Sequence, residues 1–384
     1  MNASAIEAAT GATHDEAIER VMRRLGPYVE IETPSRNATA IATLSRRIES
    51  ELRDGGAEVQ AFDEPGLGRN LRATVAGTQP GLAPLVALAH IDTVHPIGTI
   101  EKQPLRCIDR RAEGPGIFDM KAGVALLVEA ISILRTRGSG PRRPLRFLVT
   151  CDEEIGSHAS RALIRDAAVG AEAALVPEPC LPDGAVKTRR KGVSTYRLEA
   201  RGRAAHAGIE PERAVSAVTE IAHQILTVIG AADASRGTTV NVGLIQGGTA
   251  SNVVPADAWA TIDVRFATVG EGERVDAALR ALRPKLTGAT VRVELTETRP
   301  PLERTDGVVR LYHHARTVAG ELGVTLPEGS TGGGSDGSLI AAFGLPTLDG
   351  LGPRGGGAHA VDEHIIVDDL PFRLALLCKF LETL

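Results

Sequence analysis

Aromatic residues make up only 3% of this sequence, so its core must be built mainly from Ala, Val, Leu and Ile. Cysteine is also sparse: the four cysteines stand singly and lack the C-x-x-C spacing of a thiolate zinc site. A disulfide framework is therefore not expected, and a reducing compartment fits the sequence best. The four positions are Cys107, Cys151, Cys180 and Cys378.

Three further absences narrow the class of protein. No run of about 18 apolar residues is present, which argues against a transmembrane helix. The first residues lack a basic segment followed by an apolar one, so we expect no signal peptide and a cytoplasmic location. The net charge of −5 is small for 384 residues and argues against a nucleic-acid partner or a membrane surface.

The chain of 384 residues is longer than a typical single domain, so two domains are expected. Strands alternate with helices over residues 1–187 and again over 298–384, which predicts an α/β domain with a mostly parallel sheet. The sequence pattern over residues 188–297 predicts four strands with one solvated sheet face and two helices. One of these helices is expected at Glu271–Leu286. The pattern therefore predicts an α/β domain interrupted by an inserted ferredoxin-like α+β domain.

Candidate functional residues begin at the end of the apolar strand "PLVALAH". His90 and Asp92 are two positions apart, point to the same side of the strand, and lie where open α/β sheets place their sites. This pair suggests a metal ligand and the carboxylate that orients it. The alternative is a histidine bonded to a nearby aspartate for stability alone.

A second candidate, Asp119, lies in "GPGIFDMKAG" just before a predicted long helix. It suits a metal ligand, and it equally suits a helix N-cap. The glycines do not indicate a dinucleotide site, because G-x-G-x-x-G must directly follow a strand and here the third glycine is missing.

Four more candidate residues follow strands or lie in a glycine-rich loop. Glu153 and Glu154 are neighbours whose side chains diverge, so one can bind a metal while the other faces a water; the alternative is a solvated acidic loop. Glu178 lies between two prolines, where the alternative is a surface turn. His359 lies in "GPRGGGAHA", where the alternative is a flexible-loop histidine. His364 competes with it, but "DEH" is interpreted as a surface cluster.

Nitrogen and oxygen ligands without thiolate suit Zn²⁺, with Mn²⁺ or Co²⁺ as alternatives. Two divalent ions carry four positive charges, and Asp119, Glu154 and Glu178 supply three negative ones. The remaining positive charge favours a bound hydroxide as nucleophile. Glu153, left off the metals, is then available to take the proton from that water.

The ordered motifs "HIDTV", "GPGIFDMKAG", "DEEIGS", "PEP", "GRAAHAG", "SNVVP", "DVR", "TGGGSD" and "GGGAH" resemble a known family. This is the aminoacylase, acetylornithine deacetylase and glutamate carboxypeptidase family of di-zinc metallohydrolases, matched over about residues 15–380. The pattern is most similar to the folate-cleaving glutamate carboxypeptidase group.

The resemblance implies a role for each candidate in the α/β domain. One zinc ion is expected on His90 and Glu178, the other on Glu154 and His359, with Asp119 shared between them. The resemblance further implies that Glu153 is the general base and that Asp92 holds His90.

The resemblance also implies that the inserted domain is a lid through which two copies form a homodimer. His206 in "RAAHAG" is expected to reach the partner's active site and stabilise the oxyanion. Asn252, Arg265 and the backbone at Gly334 are expected to hold the substrate carboxylate, and Arg299 is a weaker candidate for a second contact. The alternatives are a turn histidine, a turn asparagine, arginines in surface ion pairs and a bare flexible loop.

The expected activity is that of a metal-dependent amide hydrolase, a metallo-carboxypeptidase. It is expected to release a C-terminal amino acid, glutamate first, from an N-acyl or peptidyl substrate. The alternatives within the family are an N-acyl-amino-acid deacylase and a dipeptidase. A non-catalytic binding protein with this fold is disfavoured. That hypothesis predicts that the general base or some of the metal ligands are missing, and all of them are present in the sequence.

Overall fold

A computed structural model of the protein describes residues 2–384. The chain divides into two compact units. The first consists of the chain up to Thr188 together with Arg304–Thr331 and Ser335–Leu384. The second consists of Arg189–Glu303 and Gly332–Gly334.

The two units are built from helices and strands in alternation. The helices are α1 (Ala3–Thr10), α2 (His14–Glu30), α3 (Ala38–Asp54), α4 (Thr99–Lys102), α5 (Ala122–Thr136), α6 (Arg161–Ala168), α7 (Ala217–Ile229), α8 (Val269–Arg280), α9 (Asp306–Glu321), α10 (Asp336–Ala342) and α11 (Leu370–Thr383). The strands are β1 (Glu58–Glu64), β2 (Gly68–Val75), β3 (Leu85–His90), β4 (Arg106–Ile108), β5 (Arg111–Glu113), β6 (Leu145–Thr150), β7 (Ala173–Val176), β8 (Val186–Arg190), β9 (Gly192–Arg201), β10 (Thr239–Gly247), β11 (Asp257–Phe266), β12 (Thr290–Arg299), β13 (Glu328–Thr331), β14 (Thr347–Asp349), β15 (Gly355–Gly356) and β16 (His364–Ile366).

The first unit is organised around an eight-stranded sheet in the order β1-β2-β6-β3-β7-β14-β8-β13. The strands β6, β3, β7 and β14 are parallel to one another, whereas β1 and β2 are antiparallel additions. Every residue of β3 is buried, with Leu85 and Ala87 facing one apolar cluster and Val86 and Leu88 facing another. Since apolar residues cover both faces, a continuous apolar run rather than an alternating one is what this strand requires.

The second unit contains a four-stranded antiparallel sheet in the order β10-β11-β9-β12. Alternate residues of β9 and β11 are buried against the helices α7 and α8, and Leu198 and Ile262 belong to this core. The predicted fold class, a mostly parallel α/β sheet with a separate two-helix, four-strand unit, is confirmed by these two sheets and by the related structures described below.

Some local predictions differ from the structure. The helix predicted over Glu271–Leu286 ends at Arg280, because Pro284 disfavours helical conformation in the residue before it. A small sheet in the order β15-β16-β5-β4 was not predicted. Its strands have only two or three residues, which is too short to show an alternating polar and apolar pattern. No helix within residues 2–384 combines the length and apolar content needed to span a bilayer.

Candidate active site

The strand order explains how residues far apart in sequence meet. The strands β6, β3 and β7 are parallel neighbours, so their carboxyl ends lie at one edge of the sheet. His90 is the last residue of β3, Glu154 follows β6 by four positions, and Glu178 follows β7 by two. This edge is where open α/β sheets place their sites, and three candidate ligands reach it from three adjacent strands.

Asp119 reaches the same place from the turn that precedes α5. Its backbone is not helical, with φ −112° and ψ 97°, and the N-cap position of α5 is Lys121. The side chain of Asp119 is therefore not capping this helix and is directed instead to the histidines. The fifth candidate, His359, lies between β15 and β16 with a positive φ of 64°.

These five side chains form two groups that share Asp119. The Nε2 atom of His90 lies 3.2 Å from Oδ1 of Asp119 and 3.7 Å from Oε1 of Glu178. The Nε2 atom of His359 lies 3.4 Å from Oδ2 of Asp119 and 3.3 Å from Oε2 of Glu154. Each oxygen of Asp119 thus faces one imidazole, and each imidazole faces one further carboxylate.

The donor set fits divalent cations. Ligand atoms of His90, Asp119 and Glu154 all lie within 4.8 Å of one another. The Oε1 atom of Glu154 is buried and accepts no hydrogen bond from any described residue, which is costly for a carboxylate unless a cation is bound. Imidazole nitrogen and carboxylate oxygen are ligands that suit Zn²⁺ and related ions.

The electrostatics of the cluster reflect crowded carboxylates beside two imidazoles. Hydrogen bonds to Asp119 and Glu154 raise the pKa of His359 to about 10. Although burial opposes ionisation, the imidazoles of His359 and His90 hold the pKa of the Asp119 carboxyl well below its usual range. Burial raises the pKa of Glu154, which shares His359 with Asp119. A cation bound among these groups would take the place of the protons on the imidazoles.

Asp92 has wider contacts than a single orienting bond to His90. The Nδ1 atom of His90 lies 3.0 Å from the main-chain carbonyl oxygen of Asp92 and 3.5 Å from its Oδ1. The Asp92 carboxylate accepts hydrogen bonds from the backbone N–H groups of Glu153 at 3.1 Å and Glu154 at 3.2 Å, and from the Ser35 hydroxyl at 2.7 Å. One fully buried carboxylate therefore links the strand that ends at His90 to the turn that carries both glutamates.

The acidic turn after β6 separates its three carboxylates. Asp152 accepts hydrogen bonds from the N–H groups of Ala159 and Ser160, so it stabilises the turn itself. Glu153 and Glu154 form a short 3-10 turn with Ile155. The Glu153 side chain is buried, and the Glu154 carboxylate contacts His359.

The second unit contains the remaining candidates in two places. His206 and Asn252 belong to adjacent segments: His206 forms a β-bridge with Val253, and the N–H of Ala207 donates to the carbonyl of Asn252. The Nδ1 atom of His206 accepts a hydrogen bond from the N–H of Gly208 at 3.1 Å, which leaves Nε2 directed away from its own turn.

The second place joins Arg265, Arg299 and the glycine segment Gly332–Gly334. Arg265 donates to both carboxylate oxygens of Asp263, at 2.8 and 3.0 Å, and to the carbonyl of Gly332 at 3.3 Å. A Cβ atom at Gly334 would lie only 3.2 Å from Cδ of Arg299, so these two residues are in direct contact. Asp263 therefore fixes a planar guanidinium beside the glycine segment.

Sequence reasoning missed a residue that holds this glycine segment. The buried Arg190 donates from Nη1 to the carbonyls of Gly333 at 3.3 Å and Gly334 at 3.1 Å. With Arg265 on Gly332, three successive carbonyls accept from arginine, so the segment is not a bare flexible loop. The sequence shows Arg190 only as one of several basic residues in "KTRRKG".

A second missed residue is Glu363, because the interpretation of "DEH" as a surface cluster was wrong for it. Glu363 is completely buried, and its carboxylate accepts from the backbone of the Asp119 turn. The Nδ1 atom of the competing histidine His364 lies 2.8 Å from the main-chain oxygen of Asp362, and His364 is not among the side chains grouped around Asp119.

Imidazoles and carboxylates gathered beside the strand ends of an α/β sheet form a donor set that suits divalent metal ions. The family model of peptidase family M20/M25/M40 matches residues 86–383, and the chain belongs to this family. It is therefore an enzyme that hydrolyses amide bonds and depends on metal, as the sequence predicted.

Individual relatives support the same assignment. The chain is 32% identical over 371 residues to carboxypeptidase G2 of Pseudomonas sp. (strain RS-16), covering 94% of this chain and 88% of the relative. It is 29% identical over 351 residues to acetylornithine deacetylase of Myxococcus xanthus, covering 84% and 86%. The crystal structure of aminopeptidase PepT from Bacillus cereus is similar with a TM-score of 0.81 at 25% identity, covering 95% of this chain and 98% of that one.

Proposed function

We propose that this enzyme is a metallo-carboxypeptidase that releases a C-terminal amino acid, preferentially glutamate, from N-acyl or peptidyl substrates. The observation that carries the proposal is the position of Asp119, which presents one oxygen to His90 and the other to His359. This arrangement suits a carboxylate shared by two cations. The similarity to carboxypeptidase G2 supports the choice of substrate class.

The proposed metal site holds two divalent ions, with Zn²⁺ favoured and Mn²⁺ or Co²⁺ as alternatives. His90 and Glu178 would hold one ion, Glu154 and His359 would hold the other, and Asp119 would be shared between them. When bound, the ions supply Lewis-acid polarisation of the substrate carbonyl and lower the pKa of water.

Glu153 is the proposed general base. It accepts a proton from the attacking water as the oxygen bonds to the carbonyl carbon. It then passes that proton to the amide nitrogen, so that the C–N bond breaks and a neutral amine leaves. Asp92 positions Glu153 for this transfer through the backbone contact described above.

The second unit supplies the proposed substrate contacts. Arg265, the N–H groups near Gly334 and, more weakly, Arg299 hold the α-carboxylate of the released amino acid, with Asn252 beside them. Asp263 engages one edge of Arg265, through Nε and Nη2, and the Gly332 carbonyl takes one N–H of Nη1. One N–H on each of Nη1 and Nη2 is then left for a ligand. His206 donates a hydrogen bond to the developing oxyanion.

We further propose that residues 1–187 and 298–384 form the catalytic domain and that residues 188–297 form a lid through which two copies associate. The strand β10 lies at the edge of its sheet. Its side chains Leu244 and Ile245 are 60% and 58% exposed, and Leu226 on α7 is 74% exposed. An edge strand beside exposed apolar side chains suits association with a second copy.

Two alternatives within the family remain as second candidates, because relatives such as acetylornithine deacetylase act on other substrates. These candidates are an N-acyl-amino-acid deacylase and a dipeptidase with another side-chain preference. The metal ligands are the same in each case, and the residues around Arg265 and Asn252 decide among them.

A substrate series with one constant acyl group tests the proposal. The protein is stripped with EDTA, reloaded with Zn²⁺, and assayed on substrates ending in glutamate, glutamine or alanine, and on the glutamate substrate with its α-carboxylate converted to an amide. A folate substrate and a free dipeptide complete the series. We expect no activity before metal is restored and the highest kcat/KM for C-terminal glutamate.

We expect kcat/KM for the α-amide substrate to be about 10-fold lower or more. The reason is that a charge-assisted hydrogen bond is worth about 1.5–3 kcal/mol. Equal cleavage of the α-amide would contradict recognition of a C-terminal carboxylate. Fastest cleavage of the free dipeptide would favour the dipeptidase alternative.

A further inference from the structure

The buried carboxylate of Glu363 is the centre of a hydrogen-bond network beneath the candidate metal site. Its Oε1 accepts from the backbone N–H groups of Phe118 at 2.8 Å and Asp119 at 2.9 Å. Its Oε2 accepts from the N–H of Gly116 at 2.9 Å and lies 2.5 Å from Nε2 of His95. One side chain with no exposed surface therefore accepts four hydrogen bonds.

The backbone of the Asp119 turn requires such an acceptor. Gly116 has a positive φ of 68°, and the turn directs three nearby N–H groups at one point. Converging peptide N–H groups form an anion-binding concavity. Each of them would destabilise the fold if it were left buried without a partner. Glu363 is the internal anion that fills this concavity.

The network also joins three of the chain segments that carry proposed ligands, those of His90, Asp119 and His359. His95 follows β3, the strand that ends at His90. Glu363 lies four positions after His359, and its main-chain oxygen accepts from the N–H of Gly114 at 3.2 Å. The bonds to Phe118 and Asp119 then tie these two segments to the turn between them.

We propose that Glu363, oriented by His95, is a positioning residue that sets the Asp119 carboxylate between the two metal ions. This inference rests on the proposed metal-binding role of Asp119. Because the Glu363 carboxylate is directed at backbone N–H groups, its task is to fix the geometry of a ligand and not to bind metal itself. Residues that support a ligand in this way are worth about 10–100-fold in metal affinity.

The test is Glu363→Gln, which keeps the side-chain shape but replaces one accepting oxygen with an NH₂ group. In either orientation that group faces at least one backbone N–H donor, so at least one of the four accepted hydrogen bonds is lost. The matched control is Glu113→Gln in the neighbouring strand β5, whose carboxylate pairs with the exposed Arg106 and with Arg111. Co²⁺ affinity is measured by competition with a chelating dye, together with the Co²⁺ absorption spectrum and the melting temperature.

We expect Glu363→Gln to bind Co²⁺ about 10–100-fold more weakly, with an altered spectrum, while Glu113→Gln matches the unchanged protein. A lowered melting temperature with unchanged affinity and spectrum would overturn the proposal, because that is the effect of a merely structural residue.

A second pair of variants serves if Glu363→Gln does not fold. His95→Gln keeps a hydrogen-bond donor to the Glu363 carboxylate and should keep most of the Co²⁺ affinity. His95→Leu removes that donor, and its Co²⁺ affinity should fall. Equal affinities in this pair would contradict the inference. Failure of the unchanged chain to bind Co²⁺ would contradict the proposed function itself, and the inference with it.

Discussion

The Oδ1 atom of Asp92 accepts a hydrogen bond from the backbone N–H of Glu153 at 3.1 Å. Through Oδ2 the same carboxylate accepts from the next residue, Glu154, at 3.2 Å. Two adjacent glutamates are thereby fixed at their backbone, and their side chains diverge from a held position. From this held position the Glu154 carboxylate contacts His359.

Substitution of Asp92 should therefore affect both glutamates. In Asp92→Asn an NH₂ group faces one of the two N–H donors, and we expect metal affinity and kcat each to fall by about 10–100-fold. The comparison variant is Ser35→Ala, which removes only the hydroxyl that donates to Asp92 at 2.7 Å and should have a smaller effect. Metal titration and steady-state kinetics measure the metal affinity and kcat of both variants. Unchanged values in Asp92→Asn would contradict the proposed role of Asp92.

Recognition of the substrate carboxylate is tested at Arg265. Arg265→Lys keeps the charge but loses the planar fork, so we expect KM for a C-terminal glutamate substrate to rise about 10-fold or more with a smaller change in kcat. Arg197→Lys is the control in the same sheet, where the guanidinium lies over the Trp259 ring. If both variants kept the normal KM, Arg265 would not contact substrate.

The stability of the second unit should depend on pH through Glu271. Its hydrogen bonds from Arg274, Arg236 and Thr238 lower the pKa of the carboxyl from 4.5 to about 2. A lowered pKa means that the stabilisation is complete above 4.5 and is lost as the pH falls toward 2. We expect Glu271→Gln to lower the free energy of unfolding at neutral pH and to flatten its decline in acid.

The only tryptophan, Trp259, lies in the second unit and reports urea unfolding there by fluorescence. Glu273→Gln changes an exposed residue of the same helix and should preserve the normal pH dependence. An identical acid slope in Glu271→Gln and the unchanged protein would show that this carboxylate does not provide the stabilisation.

Much of the fold could be predicted because its signals are local. The apolar run that ends at His90 indicates a strand covered on both faces, and the structure buries every residue of β3. The alternation in "VSTYRLEA" indicates a strand with one covered face, and Tyr196 and Leu198 are buried there. In both cases the pattern reports burial directly, so no distant contact is needed to interpret it.

The parts that could not be predicted depend on distant contacts. Glu363 lies 245 positions from Phe118, whose N–H it accepts, and no local pattern distinguishes it from a solvated acid. Asp119 was compatible with both a helix cap and a ligand, and its backbone conformation in the folded chain favours the ligand. Arg190 holds Gly333 and Gly334, which lie more than a hundred positions away along the chain.

The most direct test of the proposed mechanism measures kcat and metal content in the same sample of Glu153→Gln. Because Glu153 is proposed to transfer a proton and not to bind the metals, the variant should keep the full metal content of the unchanged protein. Its kcat should fall by about 10²–10⁴-fold, the usual contribution of a general base. Near-normal kcat with metal bound, or loss of metal together with activity, would contradict the proposed role.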